Sequence, residues 1–114
     1  MNERSYLMFL EDIIESIEKI EAYIGDITYD VFIEDGKTVD AVVRNLEIIG
    51  EASKKLPNEL KDKISDVPWH RMTGLRNIIA HEYFGVDLKI IWKIVKENLP
   101  EVQLPLKKLH KESQ

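Results

Sequence analysis

Leu75-Arg76-Asn77-Ile78-Ile79-Ala80-His81-Glu82-Tyr83-Phe84 places an arginine, an amide, an imidazole and a phenol inside an otherwise apolar helical run. At about 100° per residue, Arg76 and Tyr83 come within roughly 20° of one another, and Asn77 and His81 stack one turn apart. The four make one polar wedge. Leu75, Ile78 and Ile79 take the opposite arc, which predicts that this arc faces a core while the wedge faces a cleft or a partner. Arg76 and His81 diverge by roughly 140°, too far to pinch one small group from a single ideal helix. Two copies related by a two-fold axis would pool two arginines and two histidines in one groove, because such an interface is self-complementary.

Working outward, Ser65-Asp66-Val67-Pro68 reads as a helix start, with Trp69, Met72, Leu75 and Ile79 as the buried edge of the motif helix. Gly74 predicts a kink or a tight contact. Gly85 follows Phe84 where a left-handed cap is expected, so the motif occupies the last two turns, whose tightening or fraying would also let Arg76 and His81 cooperate within one subunit. Asp87 then caps a helix from Leu88 to about Asn98 that buries Leu88, Ile91, Trp92 and Val95, and Pro100 ends it. Pro105 fits only a first turn, which starts any final helix near Gln103.

Upstream, Tyr6, Leu10, Ile13, Ile17, Ile20 and Ile24 recur in steps of four and three, an amphipathic helix from about Glu3 that Gly25-Asp26 closes. Thr28 to Ile33 has strand propensity but no credible partner strand, so it reads as a turn or short helix capped by Thr28, with Tyr29 and Phe32 plugging the bundle end. A second long helix runs from near Thr38 to about Leu56 on the stripe Val39, Val42, Leu46, Ile49, Ser53, Leu56. Gly50 within it implies close approach of another backbone. Arg44 and Glu51 read as solvated charges, with contact to the motif helix or an interface as the alternative. Pro57 stops this helix, and Asn58 is expected to cap a short connector helix covering Glu59 to Ile64.

The chain of 114 residues suits one domain over 1–114. The expected fold is all-α, an up-and-down helical bundle with short accessory helices. There are no cysteines, which removes disulfides and thiolate metal sites. No long apolar run and no signal-peptide pattern opens the chain, so the expectation is a cytoplasmic protein without membrane contact. A net charge of -5 argues against generic binding to long nucleic acid, which uses a broad basic surface. Positive charge does gather around the motif, in His70, Arg71, Arg76, Lys89, Lys93 and Lys96. The basic tail Lys107-Lys108-Leu109-His110-Lys111 is expected to offset an acidic body.

Arginine offers a permanently charged fork for phosphate oxygens, and histidine both takes and gives a proton near neutrality. That pair suits cleavage of RNA, whose 2′-hydroxyl is a built-in nucleophile needing only a base and a cation on the crowded phosphorane. Asn77 would orient the imidazole or meet phosphate, and Tyr83 would stack on a base or hold a proton. By spacing alone, an Arg and a His on an amphipathic helix fit ordinary surface or interface residues better than a site. His70, His81 and His110 lack metal-ligand spacing, no glycine loop cradles phosphate, and no nucleophile motif is present, so neither metal nor cofactor is expected.

Arginine, four residues, histidine, one residue, tyrosine, with Asn77 directly after Arg76, resembles the motif of the HEPN-domain ribonucleases, specifically the HepT-like toxins. The resemblance extends through Ala41-Val-Val-Arg-Asn-Leu-Glu-Ile-Ile-Gly-Glu-Ala52, Pro68-Trp69, Gly74-Leu75-Arg76-Asn77 and Tyr83-Phe84-Gly85-Val86-Asp87. It implies a homodimeric helical bundle of the HEPN type and a metal-independent endoribonuclease toxin acting on RNA, such as tRNA or mRNA. Arg76, Asn77, His81 and Tyr83 would then be the catalytic set. It further implies an MntA-type nucleotidyltransferase antitoxin as partner, silencing the toxin by adding AMP to Tyr83. The rival readings are a non-catalytic helical adaptor that binds or scaffolds a nucleotidyltransferase, and a structural dimer without ligand.

Overall fold

A computed structural model describes residues 3–82 and 87–114, with side chains for 6–79 and 87–114. The described residues are helical and contain no strand: α1 (Glu3–Ile24), α2 (Tyr29–Glu34), α3 (Gly36–Lys55), α4 (Asn58–Lys61) with a 3₁₀ turn (Asp62–Ile64), α5 (Trp69–Glu82), α6 (Leu88–Lys93), a π turn (Ile94–Asn98) and α7 (Leu99–Glu112). The all-α expectation holds at this level.

The two long stripes meet as their periodicity demands. Leu10, Ile13, Ile17 and Ile20 of α1 and Val42, Leu46 and Ile49 of α3 are fully buried. α3 packs on α1 along one side and on α5 along another, while α7 lies against α1. Burying one such aliphatic side chain contributes about 1.5–3 kcal/mol, so this shared seam is the main stabilising element. Gly25 ends α1 with φ +51, a left-handed conformation that a side chain resists.

The stretch from Thr28 is a helix, for a local reason. Thr28 Oγ1 accepts from Val31 N at 3.3 Å, which satisfies one orphan amide of α2. Phe32 is then fully buried, and both Phe32 and Tyr29 meet the Trp92 ring, with centroids 5.1 and 5.9 Å apart. The plug thus fastens α2 to α6. α3 begins slightly before the expected Thr38, because Asp35 is its cap: Oδ1 accepts from Thr38 N at 3.2 Å and Oδ2 from the Thr38 hydroxyl at 2.6 Å. Those two bonds hold the Asp35 carboxyl below its ordinary pKa.

The C-terminal third departs from expectation. Helical structure continues from Leu88 through Glu112, so Pro100 does not end it and the last helix does not wait for Gln103. A proline ring clashes with the carbonyl four residues back, here that of Lys96. Lys96 lies in the π turn, whose wider ring has Leu99 N donating to Ile94 O, and Pro100 thereby enters the first turn of α7 without breaking the path. Pro105 sits inside α7 beside the exposed Glu101 and Leu104, where water can solvate the carbonyl it frees. Asp87 caps α6 as expected, accepting from Lys89 N at 2.9 Å. The basic tail meets the acidic face of α1, with Lys107 Nζ 3.2 Å from Glu18 and His110 Nε2 2.9 Å from Glu11.

Candidate active site

The motif helix is anchored at its start by Trp69. Its indole N–H reaches the carbonyls of Lys61 at 3.2 Å and Ile64 at 3.3 Å, which ties the start of α5 to the end of the connector. From there α5 runs to Glu82 with Met72, Leu75 and Ile79 buried. Ile78 differs from the expectation: it is 37% exposed. α5 has α3 as its broad packing neighbour, and the Ile78 side turns instead into an open apolar groove of about 360 Å³. Pro68, Met72, Leu75 and Ile78 form one wall, Ile94, Leu99 and Val102 the other, with Arg71 and Glu101 among its polar members. Gly74 also borders this groove, and a Cβ there would meet nothing within 4 Å, so no tight contact explains it.

Arg76 stands where α5 crosses α3. A Cβ on Gly50 would come 2.8 Å from Arg76 N and 3.2 Å from Arg76 Cβ, so only glycine permits this approach, as the α3 sequence implied. Glu51, the next residue, places Oε1 3.1 Å from Arg76 Nε. The contact alternative for Glu51 is therefore the one realised. Arg44 pairs within its own helix, 3.5 Å from Glu47. Asn77 is exposed beside Arg76.

Of the four motif residues, Arg76 and Asn77 are thus described together on one turn. His81 lies in the last turn of α5, with its side chain outside the described residues. Tyr83 and the expected Gly85 cap also lie outside them. The α-helical course to Glu82 keeps the angular relation between positions 76 and 81 at roughly 140° for regular geometry. Lys96, one of the basic groups near the motif in sequence, lies over the Trp92 ring at 5.4 Å, in a hollow shared with Glu21 and Gly25. It does not join Arg76. Among the described residues no cluster of His, Asp or Glu has metal-holding geometry, and no helix is long and apolar enough to cross a membrane.

Residues 13–109 match the family described as Ribonuclease HepT-like. Two curated relatives cover nearly the whole chain. "Probable ribonuclease HepT" of Thermococcus cleftensis is 46% identical over 95% of this chain and 98% of its own length. "Putative RNase MJ1380" of Methanocaldococcus jannaschii is 46% identical over 90% of this chain and 94% of its own. No solved structure matches significantly. A family match across most of the chain and two relatives that are nearly half-identical over nine-tenths or more of both chains agree: the chain belongs to the ribonuclease HepT-like family.

Proposed function

We propose that this protein is a metal-independent endoribonuclease, acting as one helical domain across 1–114 and as a homodimer whose interface assembles the site. The observation that carries the reading is the family membership together with the exposed Arg76 and Asn77 side chains on one turn of α5. On regular helical geometry the described part of the motif separates by angle. Positions 77 and 81 fall about 40° apart, and position 76 lies roughly 140° from 81. In the proposed site one copy supplies His81 with Asn77 orienting its ring, and the second copy supplies Arg76 and Tyr83.

Chemistry follows from that division. The His81 imidazole takes the proton of a ribose 2′-hydroxyl, the freed oxygen attacks phosphorus, and the bond to the 5′-oxygen breaks. Arg76 stabilises the charge gathering on the non-bridging oxygens. The Tyr83 phenol delivers a proton to the departing 5′-oxygen, leaving a 2′,3′-cyclic phosphate. Addition of AMP to Tyr83 by an MntA-type nucleotidyltransferase would remove that proton, which gives a toxin and antitoxin relation between the two proteins.

The test is cleavage of labelled RNAs, tRNA included, in chelator, by protein made without a nucleotidyltransferase and shown by mass to carry unmodified Tyr83. Wild type is expected to yield cyclic-phosphate ends, and His81→Ala and Arg76→Ala to lose about a hundredfold or more in rate. Equal activity in all three would mark a contaminant. No cleavage of any RNA, with nucleotidyltransferase binding retained, would favour the adaptor.

A further inference from the structure

Arg76 is gripped from the neighbouring helix. Glu51 Oε1 lies 3.1 Å from Nε, the inner nitrogen of the guanidinium, and the backbones of α3 and α5 close on each other one residue earlier at Gly50. Both side chains therefore start from a fixed backbone contact. Glu47, one turn before Glu51, is engaged by Arg44, which leaves Glu51 as the carboxylate directed at Arg76. The Arg76 and Glu51 side chains remain 53% and 46% exposed, and a pair so open to water adds little to stability.

Its consequence lies in direction. A guanidinium carries five N–H donors in a planar fork, and a carboxylate at Nε occupies one edge while the outer edge, with both Nη amines, stays available to a second anion. An arginine unrestrained on an exposed helix face samples many rotamers, and fixing them at the moment of binding weakens the complex. We propose that Glu51 is a positioning residue of the ribonuclease site: it holds Arg76 through Nε and aims the Nη amines at the scissile phosphate. This rests on the reading that Arg76 acts on RNA.

The experiment compares RNA cleavage by wild type, Glu51→Ala, Glu51→Gln, Arg76→Ala and the double variant Arg76→Ala with Glu51→Ala, alongside melting temperature and the ¹⁵N-resolved Arg76 Nε–H signal. Glu51→Ala is expected to lower kcat by about tenfold to a hundredfold, as a misplaced group does, with a much smaller change in KM. Its melting temperature stays at the wild-type value, and the Nε–H signal loses its protection from solvent exchange. Glu51→Gln keeps an oxygen at the same reach and recovers part of kcat. In the Arg76→Ala background, removing Glu51 has no further effect, since the two act as one unit. Unchanged activity in Glu51→Ala, or equal losses in both backgrounds, overturns the positioning role alone. Raised activity in Glu51→Ala also overturns it and makes Glu51 a mask on Arg76. An inactive wild type, or a fully active Arg76→Ala, strikes down the nuclease reading and the positioning role with it, while the Nε–H signal still reports whether the grip exists.

Discussion

Ser53 occupies a core position of α3, completely buried, and its hydroxyl has no hydrogen-bond partner among the described residues. The hydrophobic stripe made its burial legible, since it falls in step with Ile49 and Leu56, but the missing partner depends on what surrounds it in space. Burying a hydroxyl unpaired is unfavourable, so Ser53→Ala is expected to raise unfolding free energy by about 1 kcal/mol, read from denaturant midpoints at unchanged m-value. A loss of stability would show that the hydroxyl has a partner. Gly50 was legible for the opposite reason: a glycine inside a long helix is costly unless a backbone comes close, and one does. Ile78 was not legible. Its spacing is compatible with the buried arc, and only the arrangement of α5 beside α7 decides that it borders a groove.

At the scale of elements, local capping chemistry carried most of the reading. Thr28 and Asp87 cap the helices that their positions announce, and Asp35 does the same for α3 a little before the expected start, whereas Asn58 is the first residue of α4 and Pro57, which has no side-chain oxygen to offer, takes the cap position. Asp35 also links α3 to pH. Its folded pKa is depressed by the Thr38 hydroxyl and amide, so its contribution to stability is present above the ordinary aspartate range and is lost as pH falls through the depressed value. Asn caps as well as Asp, so Asp35→Asn is expected to match wild type near neutrality and to lose less stability on acidification, measured as melting temperature against pH. Parallel curves for the two proteins would exclude this role. Pro100 misled because a π turn is a non-local accommodation: nothing in Ile94-Val95-Lys96-Glu97-Asn98 itself announces the wider ring that lets the helix pass Pro100.

For the whole molecule, helical periodicity was enough to give the all-α architecture, and the motif was enough to place the chain in its family. The grip of Glu51 on Arg76 needed the crossing of α3 over α5, which no one-dimensional pattern fixes. Composition misdirects as well, because a net charge of -5 hides an acidic α1 partly matched by Lys107 and His110 of α7. The central claim is that one ribonuclease site takes His81 from one copy and Arg76 from another. The most direct measurement is complementation between two inactive variants, His81→Ala and Arg76→Ala, carrying different affinity tags and purified as a mixed dimer. Such a dimer holds one intact composite site, so it is expected to recover about half the wild-type rate while each parent stays inactive. A mixed dimer as inactive as its parents would contradict the shared site.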